Sequence, residues 1–488
     1  MIVMSDEQSW DTLRCHGNPA AVTPRLDELA ADGISMDRCY TPYPLCCPAR
    51  ASLWSGRMPH DHHVMGNWRH VRAEVRDAGL VRPFKSAGYH TIYAGKWHVP
   101  GTSPERFGFA DLSAIPAVPN GIDRGRLIEP YREYAAAQGY ELLPGHIENL
   151  TAADAALLKQ PGKAPCGRAE IALEHYLEVW QTREFVDALD RRPEDQPFFA
   201  VCSFNAPHFP MIVPEPFDRL IAPEDVVLPP NFLQGVEGKP AEVLESKYYK
   251  HLEHLDESEW RRFIAHYLGF CALVDSQVGA IVDYLKRSGL YNNTIVVFVS
   301  DHGDMMGAHG LVEKGFDLHY EEALRVPLVL AGAGAKGRSS DALVQLHDLI
   351  PTLAELADVP LRTEGEGRSF AAVVRGAAFR HRDFVTAETF KWNGEENGKG
   401  EYTPLSSFDP QTDSVNLSIR TDSLKYIFRY RDIEELYDMT LDPYENVNLA
   451  SAPGRAEDLK KMRSLLLNEL RRSSPRLAEL LQAGLAHR

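Results

Sequence analysis

The sequence predicts an α/β protein: a mainly parallel central sheet between helix layers, with a small C-terminal α+β lobe. Three observations lead there. Short, nearly continuous runs of Val, Ile and Phe alternate with amphipathic stretches, as expected of strands buried on both faces. Polar residues gather immediately after those runs, where open α/β sheets bind ligands. After about residue 375 the pattern changes to alternating strands separated by Asp-, Asn- and Pro-containing turns. Two units follow, a large one over 1–375 and a smaller one over 376–488.

In chain order, MIVMSD (1–6) reads as a strand ending in acid, and CCPARASLWSG (46–56) as a short helix closed by glycine. HTIYAGKWH (90–98) reads as a strand running into a polar turn. The stretch from about 112 to 167 is rich in Pro and Gly with weak periodicity, and is expected to be an insertion near the mouth of a pocket. Helices are predicted over 168–190 and 262–289. PFFAVCSFNAPHFP (197–210) and NTIVVFVSDHGD (293–304) repeat the strand-then-polar form. The segment 414–450 reads as a β-meander, and RAEDLKKMRSLLLNELRR (455–472) as a closing helix.

A chain of 488 residues has room for a large domain and a smaller one. Its net charge of −17 argues against a nucleic-acid-binding surface, and any anionic substrate needs a local cationic pocket. We find no apolar stretch near the roughly 20 residues that cross a bilayer, and no signal-peptide pattern at the start, so a cytoplasmic location is expected. The seven cysteines form no disulfide framework, which fits a reducing compartment.

The residues that carry chemistry lie at the ends of the predicted strands. Cys46 and Cys47 fall at the N-terminal end of a short helix, where free N–H groups and the dipole favour an anion. Arg50, one turn on, adds a permanent charge with planar donors. A reactive thiol and a buried small hydrophobe are both compatible with this stretch. A zinc site is not, since no second cysteine pair is present. Asp6 and Glu7 end the first strand, and Asp301 and His302 end another. Acids at two buried strand tips would repel one another without a cation between them. Oxygen-rich ligation points to Ca²⁺ or Mg²⁺, and the imidazole leaves Mn²⁺ open. Lys96, His98, His208 and Lys314 supply the local positive field. HDHHVMGNWRH (60–70) could line the pocket, with Asn67, Trp68 and Arg69 meeting a leaving group.

CCPAR fits the Cys-x-Pro-x-Arg signature of the sulfatase family. SDE (5–7), TPRLDELAADGISMDRCYT (23–41), GKWH (95–98), PHFP (207–210), SDHGD with GAHGLVEKG, and ELYDMTLDPYENVNLA (435–450) resemble further family landmarks, in family order. The resemblance implies an alkaline phosphatase-like fold and hydrolysis of a small anionic sulfate ester. It implies that Cys46 is the residue oxidised to formylglycine by a formylglycine-generating or other sulfatase-maturing enzyme, with Cys47 a neighbour. It further implies one divalent metal ion, Ca²⁺ or alternatively Mn²⁺, held by Asp6, Glu7, position 46, Asp301 and His302. Arg50, Lys96, His98, His208 and Lys314 match the polar pocket. Glu7 departs from the family pattern, in which that position is commonly Asp.

On this reading a hydroxyl of the formylglycine hydrate attacks sulfur while Arg50, Lys96 and Lys314 neutralise the sulfuryl oxygens. His208, with Lys314, protonates the leaving alcohol, and His98 is the base that allows sulfate to leave. Phosphonate monoester and phosphodiester hydrolases of the same superfamily are the nearest alternative, and a non-catalytic metal-binding protein is a third reading. The expected partners are the ester and the maturing enzyme, with neither nucleic acid nor membrane. A homo-oligomer is compatible with the sequence.

Overall fold

The structure is a computed structural model describing residues 1–67, 69–76, 78–112, 129–143, 150–232, 238–245, 252, 254–362, 365–377, 380–392 and 404–486. Trp68, named above as a pocket candidate, lies outside the described residues, as do parts of the 112–167 stretch.

The main sheet is built from β1 (Ile2–Ser5), β2 (Gly33–Met36), β3 (His90–Gly95), β4 (Phe198–Ser203), β5 (Val296–Ser300), β6 (Leu328–Ala331) and β7 (Arg338–Ser340). Across the sheet the order is β7–β2–β6–β5–β1–β4–β3. β6 is antiparallel to both of its neighbours, and every other pairing is parallel. Residues alternate between two cores, as strands covered on both faces require. Val3, Cys202 and Phe298 face one apolar layer with the helices Pro24–Ala31, Leu177–Asp190 and Glu257–Arg287. Ile2, Met4, Val201 and Val299 face the other, with the helices Cys46–Ser55 and Leu349–Leu356.

The C-terminal lobe is a four-stranded antiparallel meander, β8 (Val385–Lys391), β9 (Ser414–Arg420), β10 (Leu424–Arg429) and β11 (Glu435–Asp438). Its inner face, including Val415, Leu417 and Phe428, is covered by the helices Ala456–Ser473 and Pro475–Ala486. The fold class therefore agrees with the sequence.

Three local readings change. Described parts of the 112–167 stretch are built into the core: Tyr131 and Ala135 are buried, and the Tyr131 ring packs 5.4 Å from Trp180. The helix predicted from 168 begins at Leu177, after a short strand at Cys166–Arg168. Helix Glu257–Arg287 is long and apolar enough to cross a membrane by length and composition, which the sequence reading missed. In this fold 83% of its apolar window is buried inside the molecule.

Candidate active site

Four adjacent parallel strands, β5, β1, β4 and β3, deliver their C-terminal ends to one place. Asp301 and His302 follow β5, Asp6 and Glu7 follow β1, and Lys96 follows β3, while His208 lies on the loop after β4. Helix α1 (Cys46–Ser55) sits over these tips with Cys46 in its first turn, and Gly56 ends it at φ 69°. Glycine is also required at 303, where a Cβ would collide with the Glu322 carbonyl oxygen as the chain leaves Asp301 and His302.

The Cys46 sulfur lies 3.1 Å from His302 Nε2, 3.6 Å from Asp6 Oδ1 and 3.9 Å from Lys96 Nζ. Lys96 Nζ also pairs with Asp6 Oδ2. Burial disfavours the Lys96 ammonium, yet Asp6 and Cys46 hold its pKa above the ordinary lysine value. Of the two readings left open for the thiol, reactive or buried, the unconverted residue matches the second. Cys46 is only 1% exposed, and burial together with the Asp6 charge pushes its thiol up to about 12. Burial first and the Asp6 carboxylate second disfavour the charged sulfur, so the position is poorly suited to a thiolate nucleophile.

Arg50 is fully buried and bridges the strand tips. Nε donates to Asp301 Oδ2 at 2.8 Å and Nη2 to Asp6 Oδ2 at 3.0 Å. Nη1 donates to the Lys96 carbonyl and to Ser203 Oγ, each at 2.8 Å. The guanidinium thus holds the carboxylates rather than meeting sulfuryl oxygens, a departure from the sequence reading. Asp6 is kept well below the usual carboxylate range: burial works against its charge, and Lys96 and Arg50 prevail. Asn67, expected to meet the leaving group, lies beside the site against Cys47. Its Oδ1 accepts from the Cys47 backbone N–H at 3.0 Å, and its carbonyl accepts from Cys47 Sγ at 3.2 Å. It caps the start of α1.

The donor set fits a hard cation. Ligand atoms of Asp6, Cys46, Asp301 and His302 all lie within 4.8 Å of one another. His302 Nδ1 donates to the Gly303 carbonyl at 2.9 Å, which leaves Nε2 with a lone pair facing the cluster. The Asp301 Oδ1 oxygen is aimed by backbone N–H groups of His302 (2.9 Å) and Glu7 (3.1 Å). Two carboxylates and an imidazole suit a divalent cation.

Beside this cluster, Lys314 Nζ pairs with Glu7 Oε2 and lies 3.2 Å from His208 Nε2. Burial opposes the Lys314 ammonium, but Glu7 holds its pKa well above the ordinary lysine value. Burial and the Lys314 charge push His208 well below its normal range. Its Nδ1 donates to the Phe209 carbonyl at 2.6 Å, so the Nε2 lone pair faces Lys314. His98 is buried and carries a left-handed backbone at φ 53°, as does Glu7 at φ 67°; such strain concentrates at functional sites.

The sulfatase family matches residues 1–359, and the C-terminal region of N-sulphoglucosamine sulphohydrolase matches residues 307–473. The chain belongs to the sulfatase family. Among its curated relatives is an arylsulfatase from Clostridium perfringens, 29% identical, with 96% of this chain and 94% of the relative aligned. Another is a Delta 4,5-hexuronate-2-O-sulfatase from Bacteroides thetaiotaomicron, 27% identical over 97% of this chain and 89% of the relative. In fold, the sulfatase is similar to a phosphonate monoester hydrolase of Agrobacterium radiobacter, with a TM-score of 0.76 and 22% identity. That match covers 96% of this chain and 94% of the hydrolase.

Sequence reasoning did not find the sulfatase's supporting residues. Ser203 ends β4 and receives Arg50; its place at a strand tip was the available signal. Tyr267 donates to the Glu7 carbonyl at 2.9 Å and accepts from the Ser9 N–H at 2.9 Å. It comes from the middle of a 31-residue helix, where nothing local marks it.

Proposed function

We propose that this sulfatase hydrolyses small anionic sulfate esters, with position 46 converted to formylglycine and one divalent cation held by Asp6, Asp301 and His302. The observation that carries the reading is the place of Cys46: a buried motif cysteine facing Asp6, Lys96 and His302 at the tips of three strands. When present, formylglycine supplies a hydrated aldehyde as oxygen nucleophile, and the cation, Ca²⁺ or alternatively Mn²⁺, lowers that oxygen's pKa and screens sulfuryl charge. Because Cys46 is buried in the first turn of α1, a maturing enzyme would have to reach it before the chain folds.

The chain's own residues do the rest. Arg50 fixes the two carboxylates, so their charge is organised before substrate arrives. Lys96 holds positive charge beside position 46. Lys314 delivers a proton towards the leaving alcohol, and the His208 Nε2 lone pair, 3.2 Å away, orients its ammonium. His98 is the base assigned to the release of sulfate. The test is a panel on protein verified by mass spectrometry as converted at position 46: an aryl sulfate, a phosphate diester and a phosphonate monoester. The sulfate ester is expected to have the highest kcat/KM; a faster phosphonate monoester would overturn the assignment in favour of phosphonate hydrolysis.

A further inference from the structure

We propose that Glu7 is a positioning residue that clamps Lys314, and through it His208, and that the metal cluster is completed without its carboxylate. The role of Lys314 and His208 at the leaving group rests on the sulfate-ester reading above.

The chain divides residue 7 between two tasks. Its main chain serves the cluster: the N–H donates to Asp301 Oδ1 at 3.1 Å, and the carbonyl accepts from Tyr267 at 2.9 Å. Pinned on both sides and turned to φ 67°, that backbone sends the side chain elsewhere. Two sets of ligand atoms each converge within 4.8 Å: Asp6, Cys46, Asp301 and His302, and beside them Asp6, Glu7 and His208, so the Glu7 carboxylate stands outside the first set and shares only Asp6 with it. Glu7 Oε2 pairs with Lys314 Nζ and lies 3.5 Å from His208 Nε2; Lys314 and His208 are 3.2 Å apart. The Glu7 carboxylate thus holds the Lys314 ammonium, and that ammonium in turn meets the His208 Nε2 lone pair. An aspartate, one methylene shorter, would retract from Lys314. The glutamate is therefore what fixes the ammonium where a leaving oxygen would meet it, and such placement is worth more than proximity alone.

The experiment compares Glu7→Gln with Asp301→Asn in formylglycine-containing protein, by calorimetric titration with Mn²⁺ and by turnover of two aryl sulfates. Glu7→Gln is expected to bind Mn²⁺ within about threefold of native, while Asp301→Asn weakens it by about tenfold or more. Turnover of phenyl sulfate, whose leaving group needs a proton, should fall about 100-fold in Glu7→Gln, and that of 4-nitrophenyl sulfate by less than about tenfold. A loss of Mn²⁺ affinity equal to that of Asp301→Asn, or an equal loss on both esters, overturns the proposal. If Glu7→Gln does not fold, Glu7→Asp, which keeps the charge but shortens the reach, reads the same contrast. Should the native protein hydrolyse no sulfate ester, the reading of the reaction fails separately. The Mn²⁺ comparison and the His208 imidazole nitrogen resonances then decide: retained affinity with shifted resonances in Glu7→Gln supports the clamp, and lost affinity or an unchanged spectrum overturns it.

Discussion

Arg50 stands between Asp6 and Asp301 with no solvent to share the load, so its removal leaves two carboxylates facing each other in a buried space. Arg50→Ala is expected to cost about 3–5 kcal/mol in denaturant unfolding, the range for breaking a buried ion pair. Arg50→Lys should recover only part, because an ammonium cannot span both acids with fixed planar donors. A loss under about 1 kcal/mol for the alanine variant would contradict the bridging role. Cys46 presents the opposite case. Its sulfur sits where burial and Asp6 disfavour a thiolate, so the unconverted residue adds little chemistry. Cys46→Ala should keep the native fold and lose turnover. Conversion in the native protein should remove about 18 Da from the peptide carrying position 46, and a loss located on Cys47 would move the register by one.

The first turn of α1 depends on a side chain from outside the helix. Asn67 supplies the acceptor for the Cys47 N–H, so Asn67→Ala is expected to cost about 1 kcal/mol, the usual price of a lost cap. Because the same turn carries position 46, kcat should fall with it; an unchanged kcat would show that the cap serves stability alone. The strand tips were legible in the sequence because strand, turn and polar residue are contiguous: SDE, GKWH and SDHGD each carry their own signal. Asn67 was read as a substrate contact because its segment follows the motif closely; its partner Cys47, 20 residues away, was not legible. Tyr267 was invisible because its partners lie 258 and 260 residues away, across the sheet. Arg50 was found by its motif, but its orientation depends on four strands that only the folded sheet brings together. The role of Glu7 was obscured in the same way, since its main chain and side chain serve different neighbours.

At the scale of the whole molecule, the 60–70 segment ties the motif helix to the C-terminal lobe. Arg69 lies 4.5 Å over the Trp392 ring, and His60 Nδ1 meets Glu388 Oε2 at 2.9 Å. Burial alone would lower the His60 pKa, but Glu388 raises it to about 9. A pKa raised in the fold stabilises while the group is protonated. The contribution is therefore complete below about pH 6.5, where the unfolded histidine is also charged, and is lost as pH rises through about 9. On the order of 3 kcal/mol should separate native protein from His60→Gln at pH 6, and the gap should close by pH 10. A gap that does not vary with pH would remove the ion pair from the account. The fold class, with its small C-terminal lobe, and the strand-end residues of the candidate site were readable because alternating apolar runs and strand-end polarity are local patterns; the contacts between lobes join distant segments and were not. The central claim, that position 46 works as formylglycine in sulfate ester hydrolysis, is tested most directly by sulfate release from an aryl sulfate. Metal-loaded protein with conversion confirmed should release sulfate over many turnovers, and Cys46→Ala should remain at background. Release at background by the converted protein, or equal release by the variant, would contradict it.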